Sequence, residues 1–158
     1  MIDPNAIVPC NCSALRQAAR HITRLYDSEL AAAGLGLNQY SILSRAEKLG
    51  PRTIQGLAEN LVMERSTLGH LLRPLVKRGL LKLEPSKKDG RSRAIRLTSA
   101  GKSLLAKARP LWAKAERRFE SKIGAKPARD LRAALVRVAA ADFGFTDQQS
   151  AKGEKPCH

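Results

Sequence analysis

Between Glu64 and Arg96 ten lysines and arginines stand against three acids, Glu64, Glu84 and Asp89, a local net charge of +7. In the first half of this stretch Arg65, Ser66, Thr67, His70, Arg73 and Lys77 fall on one side of a 3.6-residue period. Leu68, Leu71, Leu72, Leu75 and Val76 fall on the other, an apolar face that a core would bury. The polar side can read base edges, because arginine bonds guanine with two donors and serine or threonine suits either edge. The second half, residues 85–93 with sequence PSKKDGRSR, is a turn loaded with cations. Lys87, Lys88 and Arg93 there most simply contact phosphates. The chemistry is that of polyanion recognition, by a recognition helix followed by a gripping β-wing.

The elements that must hold these residues are legible around them. Gly79 ends the basic helix, with Lys77 and Arg78 in its last turn. Pro74 lies inside it and predicts a bend, since a mid-helix proline removes a hydrogen bond and crowds the preceding turn. Leu81 and Leu83 alternate with Lys82 and Glu84, and Ile95 and Leu97 flank Arg96, so two short strands share one core. Upstream, Thr53 caps a helix over residues 54–61 whose Ile54, Leu57, Ala58 and Leu61 face inward. Thr53 and Gln55, at its start, join the expected DNA contacts. Only Val62-Met63 separates it from the basic helix, which makes a helix-turn-helix, and the strands make it winged.

The rest of the chain is helical. Ser13 is the expected cap of a helix running to about residue 33, with Leu15, Ala18, Ala19, Ile22, Leu25 and Tyr26 as its apolar stripe. Asn38 is the expected cap of a short helix to Leu49, with Tyr40, Ile42, Leu43 and Ala46 toward the core. A long helix runs from Ser99 to about Ile123 through Pro110, and Pro127 opens a last one with Leu131, Ala134, Leu135 and Val138 on one face. The first helix and these two expose apolar stripes outside the winged core, and the cheapest cover is a second copy of the chain. The expected organisation is therefore a lead over 1–12 and a dimerisation helix over 13–37. A winged helix-turn-helix DNA-binding domain spans 38–98, dimerisation helices 99–143, and a disordered polar tail 144–158. The fold class is mainly α with a small β-wing, dimerised through its N- and C-terminal helices.

Composition bounds the partners. A formal charge of +15 over 158 residues attracts nucleic acid or an anionic surface. No 18-residue apolar run exists to span a membrane, and the start lacks a signal-peptide pattern, so a cytoplasmic location with reduced cysteines is expected. The histidines are His21, His70 and His158, and no Gly-rich phosphate loop, zinc-finger spacing or acid–base constellation appears. No enzyme, cofactor or metal is expected; Cys10 and Cys12 with Cys157-His158 are too thin a pattern for zinc.

The order of elements resembles the MarR family of bacterial transcription regulators. The wing run Asp89-Gly-Arg91-Ser-Arg93-Ala-Ile95-Arg-Leu97-Thr98, with Gly101 after it, resembles the family signature D-x-R-x-x-x-[VI]-x-L-T followed by glycine. LNQYSIL at 37–43, TIQGLAENL at 53–61 and RSTLGHLLRPLVKRGLL at 65–81 support it, and the likeness covers residues 13–142. The resemblance implies a triangular homodimer that binds a pseudo-palindromic operator, commonly as a repressor, and releases it to a ligand or an oxidant. It implies that Arg91 enters the minor groove, that Asp89 shapes the wing through an arginine contact, and that Ser66, Thr67, His70 and Arg73 face the major groove. An inserted arginine favours a narrow, electronegative groove.

Two switches fit. In the family, aromatic anions lodge between the dimerisation helices and the winged lobe; Arg16, His21, Arg24, Tyr40 and Trp112 are the residues expected near that cleft. Alternatively, Cys12, Tyr26 and Tyr40 resemble the reactive cysteine and two tyrosines of the organic-hydroperoxide-sensing branch, with Cys157 as a resolving thiol. The third tyrosine of that branch is replaced here by Arg16, whose charge favours a thiolate. A basic architectural protein binding DNA without sequence preference is the reading from another class, and salt separates it, because nonspecific binding collapses as counterions return.

Overall fold

The computed structural model describes residues 10–86 and 92–144. Six helices and three strands follow in the order α1 (Asn11–Leu30), α2 (Leu37–Leu49), β1 (Arg52–Thr53), α3 (Ile54–Asn60), α4 (Arg65–Lys77), β2 (Leu81–Pro85), β3 (Arg93–Leu97), α5 (Ser99–Ile123) and α6 (Ala125–Ala140). A 3₁₀ turn, Ala31–Ala33, follows α1. The fold is the expected one, mainly helical with a small antiparallel sheet.

Several boundaries differ from the sequence reading, each for a local reason. α1 starts at Asn11, and its cap is Cys10 rather than Ser13: the Ser13 N–H donates to the Cys10 sulfur at 3.4 Å. Residues 11 and 12 thus belong to the helix and not to a lead. The cap of α2 is Gly36 rather than Asn38, because Asp27 of α1 reaches across and takes the Leu37 N–H at 2.7 Å. Gln39 adds the reciprocal bond, accepting from the Gly36 N–H at 3.2 Å. Pro127 sits in the first turn of α6, not at its start, where a missing N–H costs nothing. Pro74 and Pro110 both lie inside continuous helices.

The third strand was not expected. β1 is two residues long and pairs with β3, Arg52 opposite Ile95 and Thr53 opposite Ala94, giving the order β1-β3-β2. Two residues are too few for an alternating pattern, so only the pairing reveals the strand. Between β2 and β3 the register sets Leu81 opposite Leu97 and Leu83 opposite Ile95, which turns the apolar side of the hairpin to the core. The core gathers Leu30, Ile42, Leu43, Leu57, Leu68, Leu72, Leu75, Leu81, Ile95 and Leu105 from every layer.

α5 is the spine. Leu105, Ala108 and Ala115 are buried, and Leu104, Leu111 and Trp112 pack partly buried beside them. Charge ties α1 to it: Glu29, 7% exposed, pairs with Lys114 at 2.9 Å and with Arg118. These two bonds, Lys114 first, hold the Glu29 carboxyl below the usual range. A depressed carboxyl stabilises the fold above its unfolded value and loses that contribution as pH falls through its folded value. Tyr26 donates to Glu116 at 2.5 Å, and Arg132 of α6 donates to the other Glu116 oxygen at 3.0 Å. Burial first, then the Glu116 bond, pushes the Tyr26 hydroxyl up, so it stays a neutral donor.

Candidate nucleic-acid interface

The two halves of the helix-turn-helix end differently. α4 closes with Gly79 in the left-handed region, φ +68°, and the Leu80 N–H donates back to Leu75 O at 2.9 Å. α3 closes the same way, Met63 N–H to Ala58 O at 2.9 Å, but the left-handed residue is Val62. A branched side chain there costs ~1–2 kcal/mol. Val62 is also 79% exposed, so nothing apolar offsets the strain. This turn sets the angle at which α4 leaves α3, and sequence reading saw only a short link.

On α4, Leu68, Leu72 and Leu75 are buried while Arg65, Ser66, Thr67, His70, Arg73 and Lys77 are exposed. Arg65, Ser66, His70 and Arg73 line one open depression of about 540 Å³, with Ile54 and Gly69 as its floor. None of these four polar side chains bonds another described residue. Four polar side chains therefore border one open space. Gln55 is exposed on α3 but donates to Glu59 at 2.9 Å, and the Thr53 hydroxyl accepts from the Gly56 N–H at 3.1 Å as the cap of α3. Thr53 thus has a structural role as the cap, with its hydroxyl proton and one lone pair still to offer.

The base of the wing is closed by the Ser86 N–H donating to Ser92 O at 2.8 Å, and Arg93 is exposed just beyond it. Lys87, Lys88, Asp89 and Arg91 lie outside the described residues. At the wing's root, Thr98 locks β3, α4 and α5 together. Its N–H donates to Leu80 O at 3.1 Å, its hydroxyl donates to Gly79 O at 2.7 Å, and the Thr98 hydroxyl oxygen accepts from the Gly101 N–H at 3.0 Å.

A family model described as the MarR family matches residues 35–92, from just before α2 to the last residue before β3. The chain is similar to the Mycobacterium tuberculosis transcriptional regulator MosR in complex with DNA. Identity is 32% over 83% of this chain and 96% of that one, with a TM-score of 0.71. This chain belongs to the MarR family.

CouR, described as a transcriptional repressor bound to a 23-mer DNA duplex, is 25% identical over 88% of this chain and 99% of its own, with a TM-score of 0.78. A probable transcriptional regulator from Pseudomonas aeruginosa is 25% identical, covering 82% and 97%, with a TM-score of 0.74. The search of curated proteins found no significant match. The chain is thus a DNA-binding transcription regulator of the MarR family, and the interface built above lies within its matched span. Among the described residues no helix is long and apolar enough to cross a membrane.

Within this MarR-family chain the residues expected at an effector cleft do not share one site. Tyr40 and Trp112 stack, ring centroids 6.0 Å apart and 12° from parallel. They line a depression of about 560 Å³ between α2 and α5, with Arg45, Lys48 and Arg109. His21 and Arg24 line a different groove, floored by Ile22, Leu25, Phe119 and Leu131. Arg16 is exposed and lines neither. Arg45 and Lys48 were not among the expected residues; with Ser41 and Ser44 they form the polar stripe of α2, legible from the spacing i, i+3, i+4 and i+7.

The redox set is also dispersed within one chain. Cys12 is exposed in the first turn of α1 with Arg16 one turn on. Tyr26 lies near the other end of the same helix, about 21 Å away at 1.5 Å per residue. It cannot bond Cys12 of its own chain, and its hydroxyl serves Glu116 instead. Cys157 lies outside the described residues.

Proposed function

We propose that this MarR-family regulator is a homodimeric repressor that binds a pseudo-palindromic operator and is released by a small aromatic anion. The convergence of Arg65, Ser66, His70 and Arg73 on one open depression carries the reading, because four polar side chains on a helix face, none bonded to another described residue, are what base-edge recognition requires. Two copies related by a two-fold axis would present two such faces to two half-sites. The cover for α1 and α6 would be the second copy, since from residue 15 to residue 21 α1 is exposed throughout. Selection of bound fragments from random DNA at moderate salt tests the operator. A recovered inverted repeat supports the reading, and sequence-independent recovery leaves an architectural protein.

The wing contributes a separate prediction. Arg91→Ala is expected to weaken operator binding by ~1–3 kcal/mol, and Lys87→Ala to act mildly and equally on all sequences, lowering the salt slope by about one. Fluorescence anisotropy against operator and scrambled duplexes over a salt series reads both. Unchanged operator affinity in Arg91→Ala would remove the minor-groove role.

For the effector, the Tyr40–Trp112 stack offers a flat apolar wall, and Arg45, Lys48 and Arg109 offer the charge an aromatic carboxylate needs. A second reading, a thiol switch, is favoured by the exposure of Cys12 in the first turn of α1. One experiment separates them: operator release by salicylate and by cumene hydroperoxide in wild type, Trp112→Ala and Cys12→Ser. Release by salicylate, lost in Trp112→Ala, is the expected outcome. Release by the peroxide alone, lost in Cys12→Ser, would make the cysteine the switch.

A further inference from the structure

A second cavity, of about 480 Å³, lies at the root of the wing, between the end of α2, the β1 turn, the outer face of β2–β3 and the start of α5. It shares no lining residue with the recognition-helix depression or with the Tyr40–Trp112 depression. Three cations line it, Lys82, Arg96 and Lys102, together with the hydroxyl-bearing Thr98 and Ser99.

The charge there is not balanced. Lys82 and Arg96 are direct cross-strand partners, a placement in which like charges repel. One carboxylate, Glu84, serves both, at 2.5 Å from Lys82 and 2.7 Å from Arg96. The Lys82 bond first, then the Arg96 bond, holds its carboxyl below the usual range. Arg96 commits only Nε to Glu84, and its two outer nitrogens have no partner among the described residues. Lys102 has no ion pair there at all. The acid in the cavity wall, Glu47, is already engaged by Arg109 of α5. Three cations thus face one available carboxylate.

The start of α5 adds donors. Thr98 caps the Gly101 N–H, which leaves the N–H groups of Ser99 and Ala100 without an acceptor among the described residues. Cations, hydroxyls and free backbone N–H groups are the donor set that binds phosphoryl oxygens. The volume falls in the ~300–1,000 Å³ range of small-molecule sites. Ala46, Pro51 and Leu97 supply apolar wall beyond the cations.

The geometry points to a binding site for a small phosphate monoester at the wing root, its phosphoryl group held by Lys82, Arg96 and Lys102 and its organic part against Ala46, Pro51 and Leu97. The site stands apart from the repressor reading, since it draws on none of the residues that reading uses.

The test is amide chemical-shift titration of the full chain with glycerol 3-phosphate and with inorganic phosphate, each against chloride at matched ionic strength. Saturable shifts at Thr98, Ser99 and Lys102 are expected, with the ester binding more tightly than the free ion. Lys102→Gln, an exposed substitution that leaves the core alone, is expected to weaken the ester at least about fivefold. Lys107→Gln, on the same helix but outside the cavity, is expected to leave it unchanged. Three outcomes overturn the proposal. Equal weakening in both variants would mean a diffuse charge effect, and shifts that never saturate would mean screening only. Loss of DNA affinity in Lys102→Gln without added anion, with a shallower salt slope, would assign the cavity to the DNA backbone instead.

Discussion

Gly101→Ala is expected to lower the stability of the fold by about 3 kcal/mol, at the upper end of the cost of overpacking a rigid site. A methyl group at this position would sit 2.2 Å from Leu80 O and 2.6 Å from Leu97 Cδ1. The carbonyl cannot retreat, because it accepts the Thr98 N–H that joins β3 to the end of α4. Helix α5 can approach the α4–β2 junction this closely only where no Cβ intervenes. The sign is the opposite of what helix propensity alone dictates, since glycine to alanine in a helix interior gains up to ~1 kcal/mol. Gly69→Ala, in α4 with nothing within 4 Å of the added methyl, shows that ordinary sign and serves as the control. Thermal unfolding is expected to fall by roughly 10 °C for Gly101→Ala and to hold or rise for Gly69→Ala. Equal, small changes at both positions would mean that the junction relaxes freely.

Leu135→Glu is expected to convert the protein to a monomer at micromolar concentration and to abolish tight operator binding. Leu131, Leu135 and Val138 recur at i, i+4 and i+7 on α6 and are 38%, 38% and 46% exposed. Only Ala128 of this helix is buried. Fully covering such side chains is worth ~1.5–3 kcal/mol each. A carboxylate carried into that contact without a partner would cost more than the lost leucine contributes. Operator affinity falls with it, because a monomer engages one half-site and loses the effective concentration of the second. Light scattering and operator titration read the two effects on one sample. A Leu135→Glu protein that remained dimeric would place the interface elsewhere.

The exposed polar face of α4 was legible in the chain because one period governs it. A helix that must bury leucines every three or four residues displays the residues between them, so the exposed face of α4 follows from spacing alone. The wing strands were legible for the same reason, alternation being the only way a hairpin can face a core on one side. Even Gly101 could be marked by its place after the wing motif, though not why it must be glycine. That reason is a backbone oxygen, Leu80 O, contributed from 21 positions upstream.

What the chain alone withheld was every relation set by a distant partner. Asp27 rather than Asn38 satisfies the start of α2, because the crossing of α1 and α2 brings a carboxylate closer than any local side chain. β1 exists only through its pairing with β3. Val62 takes a left-handed turn that propensity argues against, at the point where the Met63 N–H closes α3 onto Ala58 O ahead of α4. Of the expected effector residues, His21 and Arg24 line one groove and Tyr40 and Trp112 another, while Arg16 lines neither, because α1 and α2 press different faces on α5. Periodicity reports which side of an element is buried; only packing decides which element it is buried against.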